Sequence, residues 1–180
     1  MAGHSKWATT KRQKAVVDAK RGKIFTKIGN MIAIAARNGS DPTTNPALAL
    51  AIDKAKAANM PNDNIKRAIE RAADKSAAAL TEELYAAYGP GGLAILIQVA
   101  TDNRNRTLPE IKSILAKNGA TLVDVAAVLY QFTKQTEDGE LQYVPNFPID
   151  LSEADAAAAD TLLDTLDDHD DVQNLHTNLA

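Results

Sequence analysis

EELYAAYGPGGLAILIQVA, residues 82–100, decides the fold. Glu82 to Tyr88 reads as a strand, and GPGG (Gly89–Gly92) as a turn whose glycines supply positive φ. Leu93 to Ala100, LAILIQVA, is the near-continuous apolar run of a central strand. The glycines invite comparison with a phosphate loop, but such a loop hands over to a helix N-terminus and this one hands over to a strand. A hairpin turn is the reading that stands.

Working toward the C-terminus, Thr107 and Glu110 predict a capping box opening a helix that turns Ile111, Ile114 and Leu115 inward and closes at Gly119. Val128, Tyr130 and Phe132 alternate as another strand. TEDGELQYV then predicts a hairpin turn at Asp138 and Gly139 followed by a strand. Ser152 caps a helix carrying Leu162, Leu163 and Leu166, and Val172 to Asn178 is a final strand. This order predicts an α+β sandwich, a ferredoxin-like sheet with two helices on one face, over residues 80–180.

Toward the N-terminus the period changes. Ile24, Ile28, Met31, Ile32 and Ala35 recur at helical spacing over Lys20 to Asn38, with Lys20, Lys23 and Lys27 opposite. Asn45 as N-cap and Pro46 at the first position open a second helix bearing Leu48, Ile52 and Ala55. A third starts near Asn62 and carries Ile65, Ala68, Ile69 and Ala72. Residues 1–75 are thus a basic tail and a three-helix bundle, and its alanine-rich stripes predict a thin core.

The 180 residues carry 20 Lys and Arg against 23 Asp and Glu, a net charge of -3, with 45% hydrophobic and 24% charged positions. No apolar run reaches the roughly 18 residues of a membrane span, so no membrane association is expected. With 0 cysteines, disulfides, thiolate metal sites and thiol nucleophiles are excluded. The net charge hides an asymmetry: residues 1–75 sum to +9 and residues 76–180 to -12. Either the basic half meets a polyanion, or the two halves attract one another.

Residues 1–27 hold eight cations, Lys6, Lys11, Arg12, Lys14, Lys20, Arg21, Lys23 and Lys27, against Asp18 alone. Such a segment can neutralise phosphates and release their counterions. Trp7, the one tryptophan, lies among them, placed either to stack on a base or to anchor the tail on the bundle. His4 reads as a locally bonded side chain. In DNRNRT (Asp102–Thr107), Arg104 and Arg106 sit near the positive end of a helix dipole, a placement costing about 0.3 kcal/mol or more. Asp102 pairs with one of them, or the loop collects an anion.

DTLDDHDD (Asp164–Asp171) lacks the glycine and ligand spacing of a calcium loop, and one histidine among unspaced aspartates is not a zinc set, so a solvated acidic surface is expected. Asp167 and Asp168 at a helix C-terminus are unfavourably placed unless a basic partner or the basic bundle meets them. No catalytic constellation emerges, so the expectation is a non-enzymatic protein with no metal, cofactor or small-molecule substrate. An enzyme built on GPGG and DNRNR is the third-ranked reading.

MAGHSKWATTKRQKAVVDAKRGKIFTKI, NPALALAIDKAKAANMPNDNIKRAI, YGPGG, TDNRNRT and DDVQN together resemble the YebC/PmpR family nearly end to end. The resemblance implies a helical bundle, a central α+β domain and a third α/β domain inserted into the second. Here only a short hairpin, residues 133–144, stands where that insertion belongs, so the third domain is expected to be reduced or lost. The family's members are described as DNA-binding transcriptional regulators or as translational activators that act on the ribosome and help elongation through proline-rich stretches.

The resemblance further implies a nucleic-acid-facing tail, Gly3 to Lys23, and, since the motif begins at Met1, a bacterial cytoplasmic location without a transit peptide. The expected partner is ribosomal RNA or, as the alternative, DNA. Lys6, Trp7, Lys11, Arg12, Lys14, Lys20, Arg21, Lys23 and Lys27 are the expected contacts, with Arg104 and Arg106 secondary. No helix with base-reading side chains at groove spacing is evident, which favours irregular RNA over an operator.

Overall fold

The computed structural model describes residues 21–74, 78–137 and 139–180. Three helices come first: α1 (Arg21–Ala36), α2 (Pro46–Ala57) and α3 (Asn62–Ala73). Their shared core is built from Ile32, Leu48, Met60 and Ile65 around Ala35, Ala36, Ala51 and Ala55, so the backbones approach closely and little apolar volume is buried. Asn45 holds the α1–α2 corner with its whole amide. Its Oδ1 accepts from Leu48 N–H at 3.1 Å, and its Nδ2 donates to the carbonyls of Ala35 and Gly39, both at 2.8 Å. Asn59, at φ 57°, ends α2 in the left-handed conformation that asparagine tolerates.

β1 (Thr81–Tyr88) and β2 (Ala94–Thr101) form an antiparallel hairpin from Thr81↔Thr101 to Tyr88↔Ala94. A single 3₁₀ turn, Pro90–Gly92, joins them, with Gly91 at φ 65° and Gly92 at φ 83° as the turn requires. β3 (Thr121–Val123) pairs with β1 and β6 (Val172–Thr177) with β2, giving an antiparallel sheet in the order β3-β1-β2-β6. α4 (Arg104–Lys117) and α6 (Glu153–Asp167) cover one face. There Ile111, Leu115, Leu162, Leu163 and Leu166 pack on Tyr85, Ile95, Ile97 and Val99.

The opposite face is covered too. A short helix α5 (Ala126–Leu129) and the ribbon of β4 (Phe132–Glu137) and β5 (Glu140–Pro145) place Val128, Phe132 and Tyr143 on Ala86, Ala94 and Leu96. Because both faces of β2 are buried, every residue of that strand except Gln98 is below the surface, which explains its unbroken apolar run. The architecture is the expected α+β one, with two helices on one face of a four-stranded sheet.

Two local expectations are corrected, and one strand was not anticipated. Val128 to Phe132 is not one strand: Asp124 Oδ1 accepts from Ala126 N–H at 2.8 Å and starts α5, which buries Val128 and leaves Tyr130 67% exposed, and the strand begins only at Phe132. β3 had no signal, since three residues are too few to show alternation. Finally, α4 begins at Arg104, capped by Asn103, whose Oδ1 accepts from Arg106 N–H at 3.3 Å. Thr107 is therefore not a cap. It lies buried inside the first turn, its hydroxyl 2.7 Å from that of Thr101. Ser152 does cap α6, accepting from Asp155 N–H at 3.2 Å. Of the expected hairpin turn, Gly139 has φ 80° and Asp138 falls outside the described residues.

Candidate nucleic-acid interface and its acidic counterpart

Lys6, Trp7, Lys11, Arg12, Lys14 and Lys20, with His4, lie outside the described residues. Arg21 opens α1 and is exposed. The next two cations reach across the molecule. Lys23 Nζ donates to the Asp168 carbonyl at 2.8 Å and lies 3.4 Å from its Oδ1. Lys27 Nζ donates to the Asp167 carbonyl at 2.8 Å and pairs with its Oδ1 at 2.9 Å.

These contacts resolve the placement of two aspartates at a helix C-terminus. The last carbonyls of α6 lack intrahelical donors and carry the negative end of the dipole, and the bundle supplies two ammonium groups that serve carbonyl and carboxylate together. For Lys23 and Lys27, the structure shows attraction between the halves. Lys27 is the more enclosed, its side chain 19% exposed against 41% for Lys23. Lys27→Ala should therefore lower stability by about 1–2 kcal/mol and Lys23→Ala by about 0.5, read as shifts in urea midpoint.

Other contacts reinforce the junction. Arg37 Nη1 donates to the Leu80 carbonyl at 2.7 Å, Arg71 Nη2 lies 3.9 Å from Asp102 Oδ2, and Lys54 pairs with Glu140. The DNRNRT loop is likewise saturated by carboxylates. Arg104 Nε lies 3.2 Å from Glu83 Oε2, and Arg106 Nη2 contacts Asp102 Oδ1 at 3.2 Å and Asp171 Oδ2 at 2.9 Å. Of the two readings of this loop, ion pairing describes it, with Asp102 only one of three carboxylates involved. Both guanidiniums keep an exposed edge, the side chains being 65% and 46% accessible.

Asp171 organises this corner, and nothing in the sequence marked it out from its acidic neighbours. Its Oδ2 also accepts from the Thr107 hydroxyl at 2.5 Å, and its carbonyl accepts from Ala100 N–H at 2.8 Å. Burial alone would raise its pKa, but the Thr107 and Arg106 hydrogen bonds, with the Arg106 charge, outweigh it and hold the carboxyl below its ordinary 3.8. A depressed folded-state pKa contributes stability above the unfolded value and loses it as pH falls through the folded value. Wild-type chain should therefore lose urea resistance more steeply below about pH 4 than an Asp171→Asn variant, and the gap between their midpoints should shrink on acidification.

Glu110, His169 and Asp171 bring one potential ligand atom each within 4.8 Å of one another, which invites a metal. The hydrogen bonds argue against it. His169 Nδ1 accepts from Asp171 N–H at 3.1 Å, so the proton resides on Nε2 and is donated to Glu110 Oε2 at 3.0 Å. No lone pair of the ring faces the carboxylates, and Asp171 Oδ2 is already engaged by Arg106 and Thr107. The arrangement is a hydrogen-bonded brace between α4 and the turn that follows α6.

Residues 5–75 match the TACO1/YebC protein N-terminal domain, and residues 80–137 and 133–179 match the TACO1/YebC second and third domain. The chain belongs to the TACO1/YebC family. Its relatives include a "probable transcriptional regulatory protein" of Desulforamulus reducens, 54% identical over 137 residues. That match takes in 75% of this chain but only 57% of the relative, so it spans little more than half of that protein's length. A protein of the same description from Maridesulfovibrio salexigens is 36% identical over 235 aligned positions, covering 99% of this chain and 95% of the relative.

Those 235 positions exceed the 180 residues of this TACO1/YebC chain, so the relative carries residues that have no counterpart here. The two pieces matching the second and third domain meet at 133–137, on β4. The crystal structure of a conserved hypothetical protein from Aquifex aeolicus superposes with a TM-score of 0.83 at 28% identity, over 91% of each chain. No helix among the described residues is long and apolar enough to cross a membrane.

Proposed function

We propose that this TACO1/YebC chain is a non-enzymatic, nucleic-acid-binding regulator of gene expression that engages ribosomal RNA and assists elongation through proline-rich stretches. The observation that carries the reading is the concentration of cationic residues in the leading segment of the sequence. Lys23, Lys27, Arg104 and Arg106 are occupied by carboxylates, whereas residues 1–20 bring five further cations, Lys6, Lys11, Arg12, Lys14 and Lys20, against Asp18 alone. Together with Arg21 and the indole of Trp7 they make the primary contact, with Arg104 and Arg106 adding their exposed edges. A cationic segment with one aromatic suits phosphates and splayed bases without demanding a duplex groove.

A reduced third domain is supported by the two pieces matching the second and third domain, which meet at 133–137 on the hairpin, and by a relative that aligns over 235 positions against the 180 residues here. The role in elongation is drawn from the family resemblance, and ribosome cosedimentation tests it: the full chain should pellet with ribosomes, and absence from the pellet at low salt would overturn the reading. A second reading, a DNA-binding transcription regulator, draws on the relatives' names. It requires a footprint on a defined promoter with a cost of about 1–3 kcal/mol per mismatched base pair. Weak binding indifferent to DNA sequence would remove it.

A further inference from the structure

Residues 125–133 and 141–149 contain no Asp, Glu, Lys or Arg, in a chain where 24% of residues are charged. The fold brings these two neutral stretches together, since β4 and β5 pair through Phe132↔Pro145 and Thr133↔Val144 at the root of the ribbon. Around that root Tyr130 is 67% exposed, Phe147 63% and Val144 39%, three of the four large apolar side chains exposed among the described residues. The fourth, Leu141, lines the cleft toward the bundle. We infer that the patch of Tyr130, Val144 and Phe147 is the contact surface of a two-fold dimer, its occupant the same patch on a second copy of this chain.

The two rings stand on a fixed base. Asn146 N–H donates to the Gln131 carbonyl at 2.7 Å, its Nδ2 donates to the Tyr130 carbonyl at 3.4 Å, and its Oδ1 accepts from the Thr133 hydroxyl at 2.6 Å. Gln131 Nε2 in turn donates to the Tyr88 hydroxyl at 2.7 Å, which donates to the Ala127 carbonyl at 2.8 Å. The backbone beneath the rings is thus held before anything binds, which keeps the ordering cost of association low. Exposed aromatics on a rigid support, among uncharged neighbours, have the composition of an interface core.

Charge selects the occupant. The chain is strongly dipolar, +9 over residues 1–75 and -12 over residues 76–180, and a two-fold axis sets a surface patch against its own copy. A charged patch placed there repels itself, whereas a neutral apolar one matches itself in chemistry. A nucleic-acid strand would need cations beside the rings, and neither stretch holds one. Location agrees with this choice. The pieces matching the second and third domain meet at 133–137, on the same ribbon, and a relative aligned over 235 positions has more residues than the 180 here. Apolar surface belongs buried at such a seam; none of the described residues covers the two rings, and a second copy does. The inference goes beyond the RNA reading and does not depend on it.

Sedimentation velocity of the full chain, from about 5 μM to about 500 μM, tests it. The sedimentation coefficient should rise with concentration from that of a monomer to that of a dimer. The rise should persist in about 0.5 M salt, because apolar contacts are not screened. Phe147→Glu and Tyr130→Ser should each weaken dimerisation by about 30-fold or more, since the two-fold repeats every loss on the partner side. Neither should move the urea midpoint of the dilute monomer, both rings being already in solvent. Association that salt dissolves would join the basic half of one copy to the acidic half of another instead. That result, a monomer at every concentration, or a dimer indifferent to both substitutions would each overturn the assignment.

Discussion

Removing residues 1–20 should lower affinity for ribosomal RNA by roughly 10²–10³ at physiological salt. The deletion takes away five cations, Lys6, Lys11, Arg12, Lys14 and Lys20. Each phosphate contact contributes about 0.7 to the slope of log affinity against log salt for single strands, so five together account for a slope of about 3.5 and, at 0.15 M, for a factor near 10³. The measurement is a salt series on the full and shortened chains: the full chain should show the steeper line, and the two should converge as salt rises. Parallel lines would mean that the tail engages no phosphates. Trp7→Ala in the full chain separates stacking from charge, since it should weaken binding by about 1–3 kcal/mol without altering the slope.

Leu162→Ala should destabilise the α+β part by about 3–5 kcal/mol, a large share of the roughly 5–15 kcal/mol available to a globular protein. Leu162 is fully buried on α6, packed against the sheet with Leu163, Leu166 and Ile97. A Cβ built on Gly89 would come within 3.3 Å of its Cδ2, so the hairpin turn stands directly over it. Rigid surroundings of this kind cannot collapse into the space a truncation leaves, and the cavity term is then added to the lost transfer energy. A fall in the urea midpoint with unchanged slope checks it, and a loss below about 1.5 kcal/mol would mean that the turn relaxes into the gap.

Much of this was legible because the signals were local. Asn45 with Pro46, Ser152 and the GPGG turn determine backbone conformation within a few residues, and the apolar run of Leu93 to Ala100 names a strand buried on both faces. Where two local signals competed, sequence misled. Thr107 and Glu110 have capping-box spacing, yet Asn103 reaches Arg106 N–H first, and the buried Thr107 hydroxyl serves Thr101 and Asp171 instead. Val128 and Phe132 both face the sheet, but they do so from a helix and a strand separated by exposed Tyr130.

The sequence by itself determined the α+β class, the alanine-lined bundle, the cationic leading segment and the family. Tertiary structure alone decided which charges meet. Lys27 and Asp167 are 140 residues apart in the chain, and Thr107 and Asp171 are 64 apart, distances at which spacing carries no information. The physical reason is that charge pairing follows from where packed faces bring side chains together. That depends on the docking of the bundle against the end of α6 and on the antiparallel register of β2 with β6, neither of which is encoded in a window of a few residues.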